Sequence, residues 1–149
     1  MSKAKPARRP EPKRSGDIAE IAFLQKATNQ GLRVSKPYGD SDRYDFIIDN
    51  GTHRLRIQVK STGKAVGKNA YQLYAKHSEG LRKVAYLKSE VDFIACYISP
   101  EDAWYIIPLK ALAGHTNVRL YASNHPRNGR YGEYCEAWHL LKQERRDSK

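Results

Sequence analysis

The sequence predicts an α/β fold in which a mixed central β-sheet is flanked by α-helices. Three observations point to it. Helical spacing comes first, several strand patterns and a second hairpin follow, and helical spacing returns near the end. The segment THRLRIQVKST alternates, with Leu55, Ile57 and Val59 on one side and Arg54, Arg56, Gln58 and Lys60 on the other. The run VDFIACYI is apolar on both sides, as a strand inside a covered sheet must be. A length of 149 residues suffices for one domain with its own core and is short for two.

Ser15 is placed to cap a first helix over residues 16–30, with Ile18, Ile21, Ala22 and Leu24 along one side and Gly31 as its stop. LRVSKP reads as a short strand ended by Pro37, and YGDSD supplies loop formers before the strand YDFIID. Asn50 and Gly51 both tolerate positive φ and predict a two-residue hairpin turn, from which THRLRIQVKST returns antiparallel. GKAVGKN is a flexible basic loop, with a strand after it in AYQLYA. VDFIACYI and AWYIIPL form a second hairpin across Ser99, Pro100, Glu101 and Asp102, the first of them central in the sheet. A short helix over 109–113, an edge strand in VRLYAS, a loop in NHPRNGRYG and a helix in EYCEAWHLLKQE follow, and the charged C-terminal tail frays.

The charge balance narrows the partner. Against 16 acidic residues stand 27 basic ones, a net +11 that favours a polyanion, with nucleic acid the first candidate. Residues 1–14 hold six basic residues, the single Glu11 and three prolines, and read as a disordered basic arm. Their +5 leaves +6 for residues 15–149, so the predicted folded domain is basic in its own right. The apolar runs are far shorter than a membrane-spanning helix, and no apolar core follows the first basic residues as in a secretory signal. No membrane partner and a cytoplasmic location are therefore expected. Cys96 and Cys135, without CxxC or Cys/His spacing, predict two buried free thiols.

Antiparallel pairing of YDFIID with THRLRIQVKST brings Asp45, at the start of one strand, to Gln58 and Lys60, near the end of the other. Gln58 and Lys60, two residues apart, share a face, and modest strand twist lets Asp45 join them. The Asp45 carboxylate, the Gln58 amide oxygen and the Val59 backbone carbonyl are hard oxygen ligands of the kind magnesium takes, with waters completing an octahedron. An ammonium beside such a site, that of Lys60, can orient a metal-bound water, help lower its pKa, or stabilise charge on a phosphate under attack. These are the requirements of phosphodiester hydrolysis.

The segments GDIAEIAFL, SDRYDFIID and RIQVKST, with a looser echo in VDFIACYISPEDAWYIIP, resemble the PD-(D/E)xK nuclease superfamily. The match spans about residues 16–62 and is similar to two branches, the group I intron-encoded homing endonucleases and the Holliday junction resolvases. The resemblance implies a restriction-endonuclease-like α/β fold and a magnesium-dependent DNA endonuclease, with manganese as a substitute ion. It puts Glu20 in the place of a helix glutamate, Asp45 in that of the strand acid, and Gln58-Val59-Lys60 in that of the ExK triplet. Glutamine stands where glutamate is usual, so Glu20 supplies charge to the metal or the ion binds less tightly. Because one chain carries one site and a duplex or branched DNA has two strands to cut, a homodimer or homotetramer is implied.

Two other readings stay open. A nucleic-acid-binding module on the same fold, its catalysis lost with Gln58 as the trace, needs the basic surface but no metal. A basic RNA-binding or ribosome-associated domain leaves Asp45 and Lys60 as surface residues. Lys64 and Lys68, directly after the expected site, are candidate phosphate contacts, and Arg127 and Arg130 in the later loop are further ones. The ten tyrosines interleave with basic residues, where they can stack on bases or fill the sheet's core and rim. His115, His125 and His139 show no ligand spacing and are assigned no role.

Overall fold

The first helix starts earlier than Ser15. In the computed structural model, which describes residues 11–39, 41–122 and 129–142, α1 spans Pro12–Asn29. Proline suits the first helical turn because its missing N–H would have had no partner there. Pro12, Lys13 and Arg14 are thus helical and do not belong to a disordered arm, while residues 1–10 lie outside the described residues. Gly31, at φ 82°, ends the helix as expected, and Leu32 N–H bonds back to the Ala27 carbonyl at 3.1 Å.

The buried face of α1 is also different from the one expected. Ala19, Phe23 and Ala27, spaced by four, are buried, whereas Ile18, Ile21 and Leu24 are 42%, 67% and 44% exposed. Two alanines let the helix lie close to the sheet, and Phe23 fills the space between them. Its ring stacks on Phe46 at 5.2 Å and meets Trp104 and Trp138 at 5.8 and 5.6 Å. Large β-branched side chains on that face would hold the helix off.

Five strands make the main sheet: β1 (Arg33–Ser35), β2 (Phe46–Asp49), β3 (Arg54–Thr62), β8 (Phe93–Ile98) and β9 (Ala103–Pro108), in the order β1-β2-β3-β8-β9. All neighbours are antiparallel except β3 and β8, which run parallel with Gln58 opposite Ile94 and Lys60 opposite Cys96. The sheet is mixed, as the sequence predicts, and VDFIACYI lies inside it between two partners. The hairpin at Asn50 and Gly51 is longer than two residues: Asp49 pairs with Arg54, and Asn50 Oδ1 accepts the N–H groups of Thr52 and His53 at 3.0 and 2.7 Å. Asn50 organises the turn through its side chain, which a two-residue turn does not need.

One face of this sheet packs on α1 and on a 3₁₀ turn, Trp138–Leu141. The other is covered by a second sheet, in the order β10-β5-β4, of β10 (Asn117–Tyr121), β5 (Ala70–Tyr74) and β4 (Ala65–Gly67). VRLYAS is an edge strand, of this second sheet, and the loop GKAVGKN contains β4. A two-stranded ribbon, β6 (Lys76–Glu79) and β7 (Arg82–Ala85), has no counterpart in the sequence reading. Its polar, half-exposed strands carry no apolar alternation to detect. The short helix α2 covers Leu109–Leu112.

The expected last helix is absent from its described part. The segment forms 3₁₀ turns at Gly132–Tyr134 and Trp138–Leu141, separated by Cys135, bridged to Tyr105 of β9, and by Glu136 at φ 51°. Glu136 N–H donates to the Trp104 carbonyl at 2.8 Å, and its carboxylate accepts from the Trp104 N–H and from Trp138 Nε1, both at 3.3 Å. Pairing to the sheet edge outweighs the helical spacing. Cys96 is buried and Cys135 half-buried, both free thiols. No helix among the described residues is long and apolar enough to cross a membrane.

The two sides of α1 give a direct test. Phe23→Ala should cost about 3–5 kcal/mol in a denaturant titration, as large-to-small changes in a packed core do, while Ile21→Ala should stay within about 0.5 kcal/mol. Equal costs for the two would mean that the helix docks by its other face.

Candidate active site

The site begins where a ladder stops. β2 starts at Phe46 opposite Ile57, the Asp45 N–H donates to the Ile57 carbonyl at 2.8 Å, and before Asp45 the chain bends away from the sheet. Along β3 the backbone groups alternate in direction, so those of Val59 turn toward the side β2 has just left. A side chain replaces the missing backbone: Asp45 Oδ2 accepts the Val59 N–H at 2.8 Å. The Gln58 carboxamide lies alongside, with Nε2 3.4 Å from the Val59 carbonyl. A carboxylate, a carboxamide and a backbone carbonyl therefore converge at one strand end.

Lys60 lies two residues on, on the Gln58 face, with Nζ 5.5 Å from the centre of the Tyr86 ring. From the helix side comes Glu20, next to the buried Ala19. Its Oε1 pairs with Lys36 Nζ at 2.7 Å, and that ammonium also sits 5.0 Å over the Phe46 ring. Glu20, Lys36, Tyr44 and Asp45 line a shared cleft of about 180 Å³.

The charges act on one another across this cleft. Burial, above all, pushes the Asp45 carboxyl up to about 6; the Val59 N–H bond opposes this, the Glu20 charge adds to it, and Lys36 and Lys60 pull it down. The Lys60 ammonium is lowered from its ordinary value by burial, against the pull of Asp45, and Lys83 lowers it further. The hydrogen bond to Glu20 raises Lys36, with the charges of Glu20 and Asp45 acting the same way.

Among the described residues no three His, Cys, Asp or Glu side chains gather into a metal cluster. A cation here would instead take the Asp45 carboxylate, the Val59 carbonyl and, across the cleft, Glu20. A half-turn of the Gln58 carboxamide adds Oε1. All four are hard oxygen donors, suited to magnesium or manganese. The residues fit such an ion in a second respect, because a positive charge beside Asp45 relieves the burial and the Glu20 repulsion that hold its carboxyl up.

Of the expected site residues, the structure brings Asp45, Gln58 and Val59 into direct contact, sets Lys60 within their field, and puts Glu20 on the same cleft as Asp45. Lys64 is exposed just past the end of β3, and Lys68 is exposed in the β4–β5 turn. Arg130 is exposed in the segment after β10, and Arg127 lies outside the described residues. Sequence reasoning missed Lys36 and Tyr86. Lys36 closes the strand-like stretch LRVSKP, where alternation puts it on the same face as Leu32 and Val34, and a lysine on that apolar face is the one signal that could have marked it.

The sequence model of the PD-(D/E)XK endonuclease family matches residues 10–141. The chain belongs to that family. This PD-(D/E)XK endonuclease is similar in structure to a bacterial homing endonuclease, I-Ssp6803I, with a TM-score of 0.77 and 28% identity over 89% of this chain and 93% of that one. It is also similar to the Archaeoglobus fulgidus Hjc, a Holliday junction resolvase, with a TM-score of 0.54 and 19% identity over 88% of this chain and 99% of that one, a likeness of fold. No curated protein sequence matches it. The restriction-endonuclease-like fold and the family resemblance are thereby both borne out. Nucleases of the family generally use divalent metal ions.

The raised Asp45 value has a consequence for stability. A carboxyl whose folded pKa lies above its unfolded one contributes stability below the unfolded value, near 3.8, and loses it as pH rises through about 6. In EDTA, the protein should weaken across that window by on the order of 1–2 kcal/mol after solvent screening is allowed for, and Asp45→Asn should flatten the loss in denaturant titrations at several pH values. Lys36→Met should move the Asp45 titration upward, read by carboxyl-carbon NMR; a downward move would contradict the charge arrangement.

Proposed function

We propose that this PD-(D/E)XK endonuclease is a magnesium-dependent DNA endonuclease, with manganese as an alternative ion. The carrying observation is the Asp45 carboxylate at the Val59 N–H, which sets a carboxylate, a carboxamide and a carbonyl beside Lys60. Asp45, Gln58 and the Val59 carbonyl would hold the ion, with Glu20 reaching it directly or through water. When bound, the ion supplies positive charge at the phosphate oxygens and lowers the pKa of a coordinated water.

Lys60 carries the rest of the chemistry. Half-buried beside Asp45, its ammonium orients the attacking water and meets negative charge growing on the phosphate during in-line displacement. Hydrolysis adds water across one phosphodiester, leaving a phosphate monoester and a free hydroxyl. Desolvation holds the Lys60 pKa below that of an ordinary lysine, which eases proton exchange with the incoming water. The exposed Lys64, just past the end of β3, and the exposed Lys68 and Arg130 would bind flanking phosphates. The substrate is DNA, duplex or branched, and two copies of the chain in a homodimer, or four in a homotetramer, supply the two sites that cleaving both strands requires.

Gln58 itself favours one second reading, a DNA-binding module without catalysis, since a neutral amide is a poorer magnesium ligand than a carboxylate. Plasmid, branched and single-stranded DNA incubated with the protein and magnesium distinguish the two. Cleavage by the natural chain supports the enzyme; cleavage by Gln58→Glu alone supports the binder. In the enzyme, Lys60→Ala should reduce cleavage at least ~100-fold while DNA retention in a mobility-shift assay stays nearly unchanged. Full activity in that variant would overturn the assignment.

A further inference from the structure

We propose that the β6–β7 ribbon is a duplex-reading arm that enters the major groove of B-form DNA while the phosphate backbone lies at the Asp45–Lys60 site; this rests on the nuclease reading above. The two strands pair with each other and lie outside both larger sheets. Glu79 pairs with Arg82 across a tight turn made by Gly80, at φ 61°, and Leu81, whose side chain is fully exposed at the tip. An isolated ribbon of this kind is marginal in water, and a large apolar side chain at its end contributes nothing to its own packing.

Its charge and its root say what it meets. Lys76, Arg82 and Lys83 face the single Glu79, and among the described residues none of the three is in an ion pair. Lys83 donates to Ser78 Oγ at 2.5 Å, and Lys76 lies 4.7 Å over the Tyr74 ring. At the root, the His77 ring packs on Tyr86 at 4.8 Å, with Glu90 Oε1 3.9 Å away, and the Lys60 ammonium lies 5.5 Å from the centre of the same Tyr86 ring. The arm and the candidate catalytic lysine therefore share one aromatic support, so DNA seated on one is in register with the other.

Size selects the groove. Four residues per strand at roughly 3.3 Å each reach about 13 Å, more than the roughly 8.5 Å depth of the B-form major groove, whose width of about 12 Å admits a two-stranded ribbon. The minor groove, about 6 Å wide, does not admit one. The A-form major groove of double-stranded RNA is too narrow, so the arm discriminates between the two duplexes. Leu81 at the tip is placed against thymine methyl groups, the apolar feature of that groove.

The test uses the full chain with calcium in place of magnesium, a 30-base-pair DNA duplex, the same sequence as an RNA duplex, and single-stranded DNA. Binding is followed against salt, and guanine N7 methylation reads the major groove. The variant Lys76→Gln, Arg82→Gln, Lys83→Gln should show a shallower salt dependence on duplex DNA, by about 2.7 in log–log slope at roughly 0.9 per lost phosphate contact. It should also lose N7 protection. Leu81→Ser, which disturbs no packed residue, should keep the slope and lose protection at the tip position, and it covers the case in which the triple variant does not fold. Unchanged slope and protection in both overturn the arm and leave the nuclease intact. An equal loss on duplex RNA or single strands also overturns it, reducing the ribbon to a general polyanion contact. A wild-type chain that neither binds nor cuts duplex DNA overturns the nuclease reading itself.

Discussion

Where β2 begins, the Val59 N–H turns to the Asp45 carboxylate for its partner, and the sheet thereby fixes a charged group at the end of the β2–β3 pair. Two unfavourable terms meet in that bond. A buried amide without a partner costs about 1–3 kcal/mol, and a carboxylate drawn from water resists ionisation, as its pKa of about 6 records. Each group reduces the cost of the other. Val59, which buries its side chain against α1, cannot move without moving Asp45. Packing on one face of β3 thus sets the geometry on the other.

The far side of β3 is held as firmly. Arg56 grips Asp92 with Nε to Oδ2 at 3.0 Å and Nη2 to Oδ1 at 3.1 Å, and also donates to the carbonyls of Lys88 and Ser89. The backbones close the clamp, with Arg56 N–H to Asp92 Oδ2 at 2.8 Å and Asp92 N–H to the Arg56 carbonyl at 2.9 Å. A bidentate arginine has one favourable geometry, so this clamp sets the parallel register of β3 on β8 at its first residue. Parallel pairing over a long connection is slow to find and easily slipped, and a one-residue slip would turn Gln58 and Lys60 into the helix-facing core. Arg56, read in the sequence as one more basic residue on a polar face, is what prevents it.

Much of this was legible because it is local. The alternation in RLRIQVK gives the two faces of β3, and the order of Asp45, Gln58 and Lys60 on an antiparallel pair follows from the Asn50-Gly51 turn even though that turn is longer than two residues. What was not legible depends on distant partners. The stripe of Ile18, Ile21 and Leu24 is the more apolar one on α1, yet Phe23 is buried because Phe46, Trp104 and Trp138 surround it, and no helical period contains that information. The segment 133–142 has helical spacing, but Glu136 is drawn to the edge of β9 by Trp104, 32 residues away. Lys36 belongs to the site through an ion pair 16 residues distant, from a strand end with no motif of its own.

The glutamine at position 58 is consistent with this electrostatic arrangement. The cleft is lined by three carboxylates, Glu20, Asp42 and Asp45, and by the Lys36 ammonium, while Lys60 acts on Asp45 from beside it. Asp45 already bears the strain of that packing, its carboxyl raised by burial and by Glu20. A glutamate at 58 would add a further carboxylate next to Val59, whose N–H Asp45 accepts, beside a group that ionises with difficulty, and like charges that close push one pKa up further. The amide keeps an oxygen at the strand end without that repulsion. The same trade leaves fewer carboxylate oxygens on β3, while Glu20, on the same cleft as Asp45, is held in a 2.7 Å pair with Lys36. Any group that draws Glu20 toward Asp45 therefore competes with the Lys36 ammonium.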